Sequence, residues 1–173
     1  MVRASLNRAI NLLALTVAAS ATTASCQASA ADMEAELEIG AVAERTVAGN
    51  AATHAGPSVA IEFTPIEHGL ELEAAVSRFQ IDGAAEWETE VAVKKPFDLS
   101  PSVELMLGLG PTWTHSGAPL EQSDSFGAEL VLDLQFWRTR RWGWFIEPSY
   151  SAGFSRGSDR AVAITAGVLL SLE

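Results

Sequence analysis

Alternation of apolar and polar residues with a period of two recurs along this chain from Glu34 onward. Successive side chains of a strand point to opposite faces, so this period indicates half-buried strands rather than helices. Most segments have about 10 to 12 residues, close to the length that a tilted strand needs to cross a bilayer. The eight predicted strands are Glu34–Arg45, Ser58–Thr64, Leu70–Phe79, Ala85–Lys95, Ser102–Trp113, Gly127–Trp137, Trp142–Phe154 and Ala161–Leu172.

Eight segments separated by turn-forming residues predict an all-β chain that closes into an antiparallel up-and-down barrel. Short turns at one end and longer loops at the other are typical of outer-membrane barrels. The short predicted turns are Pro65–Gly69, Pro96–Pro101 and Thr139–Arg141. The other connections are Thr46–Pro57, Gln80–Ala84, Thr114–Phe126 and Ser155–Arg160, two of them long. Pro148 lies inside the seventh strand and predicts a β-bulge nearby, because proline cannot donate to the ladder.

Each predicted strand has one apolar and one polar face, and the direction of the apolar face decides the class of protein. An apolar face turned inward would make a soluble, lipocalin-like periplasmic barrel that binds an apolar ligand. An apolar face turned outward would make a transmembrane barrel. The polar face carries Glu36, Glu38, Glu62, Glu71, Glu73, Glu86, Glu88, Glu90, Glu104, Glu129, Asp133 and Glu147.

Aromatic residues of the apolar face lie near the strand ends, as at the interfaces of a membrane. Phe63, Phe136, Trp142 and Trp144 are near the short turns, and Trp87, Trp113 and Phe154 are near the other connections. Glycines fall mostly on the polar face, which suits the crowded interior of a small barrel. We therefore predict a barrel in a bacterial outer membrane, with membrane lipid as its partner and the periplasm as the alternative location.

The first 30 residues are predicted to be a signal peptide. Two arginines precede an uncharged stretch, and Ala28-Ser29-Ala30 offers the small residues for cleavage before Ala31. Residues 31–173 would then form a single barrel domain. Cys26, the only cysteine, follows Thr23-Ala24-Ser25, which resembles a bacterial lipobox except at Thr23. Lipidation of Cys26 is thus an alternative to its removal with the leader.

The acidic balance of the chain limits its partners. Its 22 acidic and 11 basic residues give a net charge of −11. Since two arginines belong to the predicted signal peptide, the mature barrel would have 9 basic residues and a net charge of −13. A phosphate backbone would be repelled, which argues against nucleic-acid binding.

A polar face turned inward would crowd carboxylates into a narrow lumen, with Lys94 as the one basic residue clearly on the same face. Glu-x-Glu repeats place carboxylates about 7 Å apart on one face, and oxygen ligands suit Ca²⁺ or Mg²⁺. The alternative is a polar face whose charges are solvated or paired without a bound ion. The candidate metal ligands are Glu71, Glu73, Glu86, Glu88, Glu90, Glu104, Glu129, Asp133 and Glu147.

The sequence offers little support for catalysis. Nucleotide-binding, zinc-protease and Cys-x-x-Cys motifs do not occur, and no cofactor is predicted. His115 and Ser116 lie in a predicted loop that also contains Asp124, which suggests a lipid-modifying hydrolase as an alternative. A Ser-His-acid set is defined by geometry rather than by nearness in sequence. We therefore predict a non-catalytic protein of structural or interaction type.

Three stretches in the second half of the chain carry a family likeness. They are Val93–His115 (VKKPFDLSPSVELMLGLGPTWTH), Gly127–Trp137 (GAELVLDLQFW) and Trp142–Phe154 (WGWFIEPSYSAGF). They resemble a family of small, uncharacterised proteobacterial outer-membrane β-barrel proteins of the eight-stranded type. The resemblance implies the barrel fold and brings no known activity with it.

Overall fold

The computed structural model describes residues 35–47, 51–66, 69–81, 83–117, 122–154 and 160–172. The predicted signal peptide, its cleavage point and Cys26 lie outside the described residues, so these three predictions stay predictions. Within those ranges there is no helix long and apolar enough to cross a membrane, a finding that has no bearing on crossing by strands.

Eight antiparallel strands close into one barrel, in which each strand pairs with its neighbours in sequence and β8 pairs with β1. Valine, leucine, isoleucine and aromatic residues, which pack well on a pleated surface, fill most outward positions. The predicted all-β, eight-stranded up-and-down barrel is confirmed. The strands are β1 (Ala35–Thr46), β2 (Thr53–Ile66), β3 (Leu70–Ile81), β4 (Ala84–Ser100), β5 (Val103–Gly117), β6 (Gln122–Trp137), β7 (Trp142–Gly153) and β8 (Arg160–Ser171).

Several strands are longer than predicted. β2 begins at Thr53 and β6 at Gln122, each five residues earlier than the alternation indicated. The predicted long loops Thr46–Pro57 and Thr114–Phe126 are therefore wrong, because only six and four residues connect the strands there. Glycine and proline in a sequence predict turns, but Gly56 and Pro57 of β2 lie in the ladder, opposite Val42 and Ala41 of β1. At the other end β4 continues to Ser100, which shortens the predicted turn.

The apolar face points outward and the polar face lines the lumen. In β4, Val91 and Val93 are 49% and 42% exposed, whereas Ala92 and Lys94 are completely buried. The alternative of a lipocalin-like barrel predicted an apolar interior. That prediction is wrong, because many of the buried side chains are acidic.

The predicted β-bulge near Pro148 is also wrong. Pro148 is exposed on the outward face and pairs with Ile164 of β8 in unbroken register. Pairing with β6 is interrupted beside Pro148 but resumes in the same register, so the missing N–H of proline interrupts the ladder without shifting it. The register shifts that do occur lie at the ends of β2 and β4.

Replacing Gly110 with alanine is expected to destabilise the barrel by about 1–3 kcal/mol. A Cβ at Gly110 would overlap the carbonyl oxygen of Val91 and lie 2.8 Å from the Cα of Ala92, and both atoms belong to the backbone of β4. Gly117→Ala is the control, since its nearest neighbour, the Ala85 carbonyl oxygen, is 3.2 Å from the added Cβ. Denaturant unfolding followed by tryptophan fluorescence would compare the two variants, and equal stability would contradict the expectation.

Candidate functional site

The lumen is organised around Lys94, which β4 carries at an inward position. The side chain of Lys94 is completely buried. Gly108 lies opposite on β5, and a Cβ there would come within 2.7 Å of Lys94 Cγ. A glycine at this position therefore makes room for the long lysine side chain.

The ammonium of Lys94 donates hydrogen bonds to carboxylates from three other strands. Lys94 Nζ is 2.6 Å from Glu73 Oε2 of β3 and 2.8 Å from Glu147 Oε2 of β7. It is 3.2 Å from Asp133 Oδ2 of β6. An ammonium has three donors, so each of them has a partner. One lysine thus links four of the eight strands across the lumen.

Gln135, the next inward residue after Asp133 on β6, bonds to a second set of carboxylates. Its Nε2 is 3.2 Å from both Glu62 Oε2 and Asp133 Oδ2, and 3.5 Å from Glu38 Oε1. Glu38 and Glu62 belong to the predicted polar face but not to the candidate metal ligands, and Gln135 was not singled out at all. The alternation along β6 could have predicted that Gln135 faces the lumen, because Asp133 and Gln135 are two residues apart and share a face.

Two groups of three carboxylates meet in this part of the lumen. Glu38, Glu73 and Glu147 form one group, and Glu38, Glu62 and Asp133 form the other. In each group one ligand atom from every residue lies within 4.8 Å of the others. Glu62 Oε1 and Asp133 Oδ1 are buried and accept no hydrogen bond from any described residue. Because Glu38 is common to both, the two groups contain five carboxylates, and three of these bond to the ammonium of Lys94.

The other candidate ligands do not join these groups. Glu86, Glu88, Glu90 and Glu129 lie toward the end of the barrel where β3 connects to β4. Thr114 Oγ1 donates to Glu88 Oε2 at 3.3 Å, while Glu90 Oε1 and Glu129 Oε2 accept no hydrogen bond within the described part of the chain. The predicted candidate set is therefore divided, with Glu73, Asp133 and Glu147 gathered at Lys94.

A cavity of about 600 Å³ opens at the end of the barrel that carries the short turns. Its lining includes Glu36, Glu104 and the arginines Arg138 and Arg140 of the turn after β6. Glu71 interacts with Glu36 and Glu104 on one side and with Glu62 on the other. Carboxylates therefore continue from this cavity to the buried groups.

The predicted interface aromatics all lie on the outward face, in two groups at the two ends of the barrel. Phe63, Phe136, Trp142 and Trp144 are at the end of the short turns, and Trp87, Trp113 and Phe154 are at the opposite end. Phe136 and Trp144 stack with ring centroids 3.9 Å apart, and Trp113 stacks on Phe126 at 6.4 Å. Phe126 was not predicted to belong to this set, because the sequence placed it in a loop.

The residues that suggested a hydrolase do not assemble into a catalytic set. His115 Nδ1 lies 2.7 Å from Asp124 Oδ1, and Trp113 Nε1 donates to the same oxygen at 3.3 Å. Ser116 is the next residue of β5 and therefore points to the opposite face of the strand. Ser116 consequently faces the lumen, whereas the His115–Asp124 pair lies outside the barrel.

Comparisons with known proteins identify the fold. No protein-family model matches the chain, and no curated protein matches its sequence. Neisserial surface protein A (NspA) is 14% identical with a TM-score of 0.65, and the match covers 79% of this chain and 96% of that chain.

Two further solved structures have the same architecture. The outer membrane protein OprG of Pseudomonas aeruginosa is 8% identical with a TM-score of 0.59, over 82% of this chain and 96% of that chain. Ail, the attachment invasion locus protein of Yersinia pestis, is 13% identical with a TM-score of 0.54, and the match covers 81% of this chain and 99% of that chain. At these identities the likeness shows the fold alone, which is the eight-stranded barrel of small outer-membrane proteins.

Proposed function

We propose that this chain is an integral outer-membrane barrel of structural or interaction type that carries out no catalysis. The observation that supports the proposal most is the outward apolar face bounded by two groups of aromatic side chains. A continuous apolar surface of this kind is unfavourable in water and favourable in hydrocarbon. Tryptophan and tyrosine favour the membrane–water interface on both sides of a bilayer.

The dimensions of the outward face agree with a bilayer. On β5 the apolar positions run from Val103 to Trp113, and on β6 they run from Phe126 to Phe136. Each of these stretches spans eleven residues, close to the 9–11 residues that a tilted strand needs to cross the hydrocarbon layer. The neighbouring strands also alternate apolar outward and polar inward, with Lys95 of β4, opposite Leu107, as a charged residue on the outward face.

The filled lumen supports a structural or interaction role over transport. Lys94, Gln135 and Asp133 meet inside the lumen, and none of them is more than 1% exposed. An eight-stranded barrel has an interior just wide enough for side chains to fill. With the interior closed in this way, the membrane-facing belt and the two ends of the barrel are the surfaces available for interaction.

The test is the cellular fraction in which the full-length chain is found after expression in a Gram-negative host. We expect it in the outer membrane, resistant to an alkaline wash, and migrating faster on a denaturing gel when unboiled than when boiled. A closed barrel that resists detergent gives this difference in migration. Release by osmotic shock without detergent, and without a boiling-dependent shift, would overturn the proposal.

A further inference from the structure

We propose that the lumen binds one hard divalent cation, of the Ca²⁺ or Mg²⁺ class, between Glu38, Glu62 and Asp133. One carboxylate oxygen from each of these residues lies within 4.8 Å of the other two. Ligand oxygens of a bound Ca²⁺ are about 2.3–2.6 Å from the ion, so two of them are separated by up to about 5 Å. β1, β2 and β6 therefore already hold the three oxygens at distances that one ion bridges.

The hydrogen bonds of Lys94 distinguish this group from its neighbour. The ammonium already contacts both Glu73 and Glu147 of the other group, and on Asp133 it uses Oδ2. Two buried oxygens near Lys94, Glu62 Oε1 and Asp133 Oδ1, accept no hydrogen bond from the residues that the structure describes. Both belong to the group of Glu38, Glu62 and Asp133, and Glu62 and Asp133 are 2% and 0% exposed. The ammonium thus occupies oxygens of Glu73, Glu147 and Asp133, and Glu62 Oε1 and Asp133 Oδ1 are left for a second cation.

Charge balance favours a cation at the same place. Five buried carboxylates surround a single ammonium, and ionised carboxylates buried without compensation are unfavourable. A bound divalent ion is the largest local charge of such a site and offsets two of the excess negative charges. Gln135 bonds to all three proposed ligands but is neutral, so it positions them without compensating their charge.

The donor atoms indicate the class of ion. The group offers carboxylate oxygens and contains neither histidine nor cysteine. Oxygen ligands suit Ca²⁺ and Mg²⁺, whereas zinc and copper favour sites with nitrogen or sulfur. Glu36 and Glu104 line the cavity at the short-turn end, so carboxylates are also present at this end of the lumen.

The test is calorimetric titration of the chelator-treated, folded barrel in detergent with CaCl₂ and with MgCl₂. We expect one ion per chain and a rise in the temperature at which the unboiled gel band converts to the boiled one, because an ion that binds only the folded state stabilises it. Glu62→Gln keeps the shape of the side chain, and it leaves the bonds of Lys94 to Glu73, Asp133 and Glu147 in place. We expect this variant to fold and to bind the ion at least about tenfold more weakly, since it removes a charged ligand.

Glu44→Gln is the matched control, because Glu44 is an inward glutamate on the same strand as Glu38 and lies outside the proposed site. We expect it to keep the affinity of the unaltered chain, and an equal loss in Glu44→Gln and Glu62→Gln would overturn the site. The absence of both heat and thermal stabilisation with either salt would overturn it too. If Glu62→Gln does not fold, Glu38→Gln takes its place. The cation site is built from side chains in the lumen, whereas the fractionation experiment tests the outward face. A negative result in one experiment therefore does not decide the other.

Discussion

Replacing Lys94 with methionine is expected to destabilise the folded barrel by about 3–5 kcal/mol, the range observed when one partner of a buried ion pair is removed. The substitution would leave Glu73, Asp133 and Glu147 facing one another without the ammonium to which all three now bond. Methionine retains much of the volume of the lysine side chain, so loss of charge rather than a cavity would dominate. Urea unfolding in detergent, followed by tryptophan fluorescence, would measure the change.

Lys95→Met is the matched control for this prediction. Lys95 is the adjacent residue of β4, but it points outward, with Nζ 5.9 Å from the centroid of the Phe97 ring. Lys95 lies opposite Leu107 on the outward apolar face, where a charge is itself unfavourable, so losing its contact with Phe97 is expected to lower stability by less than about 1 kcal/mol. Similar losses in both variants would contradict the role assigned to Lys94, because they would reflect the loss of any positive charge.

Acid should reduce the difference between Lys94→Met and the unaltered barrel. Protonation removes the negative charge of the carboxylates, so the repulsion among the three that lose their ammonium disappears as the pH falls. The gap in unfolding free energy between the variant and the unaltered chain is thus expected to be largest at neutral pH. A gap that stayed constant on acidification would indicate a packing defect instead.

The strands and their two faces could be predicted from the sequence, because a period of two is a direct consequence of strand geometry. The alternation through Val91, Ala92, Val93 and Lys94 assigned each of these residues to the face on which it lies. Strand ends could not be predicted in the same way. Glycine and proline before Ser58 resemble a loop when considered alone, and their pairing with β1 decides otherwise.

The composition of the lumen could be predicted, but its contacts could not. The Glu-x-Glu repeats drew attention to Glu86, Glu88 and Glu90, which lie on one strand with their Cα atoms about 7 Å apart. The residues that meet come instead from different strands, since Glu38, Glu62 and Asp133 belong to β1, β2 and β6. Which carboxylates approach one another depends on the register between strands and the closure of the barrel, and neither is encoded in a local pattern.

Replacing Leu109 with arginine is expected to lower the stability of the barrel in a lipid bilayer by about 2–4 kcal/mol, the cost of a lipid-facing arginine near the bilayer centre. Leu109 lies near the middle of the outward face of β5, is 63% exposed, and has Val93 and Leu130 as cross-strand neighbours. Its surroundings are thus apolar and its side chain projects away from the barrel. Urea unfolding of barrels refolded into vesicles would measure the loss.

Leu99→Arg makes the same chemical change where the bilayer should not reach. Leu99 is 58% exposed, similar to Leu109, but lies beyond Phe97 next to the turn between β4 and β5. Near the interface the cost of arginine falls to about 0–1 kcal/mol, so Leu99→Arg should be nearly as stable as the unaltered barrel. In water the two substitutions would be equivalent, because exposed surface changes rarely exceed about 0.5 kcal/mol. A clear difference between them in vesicles therefore supports membrane insertion, and equal, small effects would contradict it.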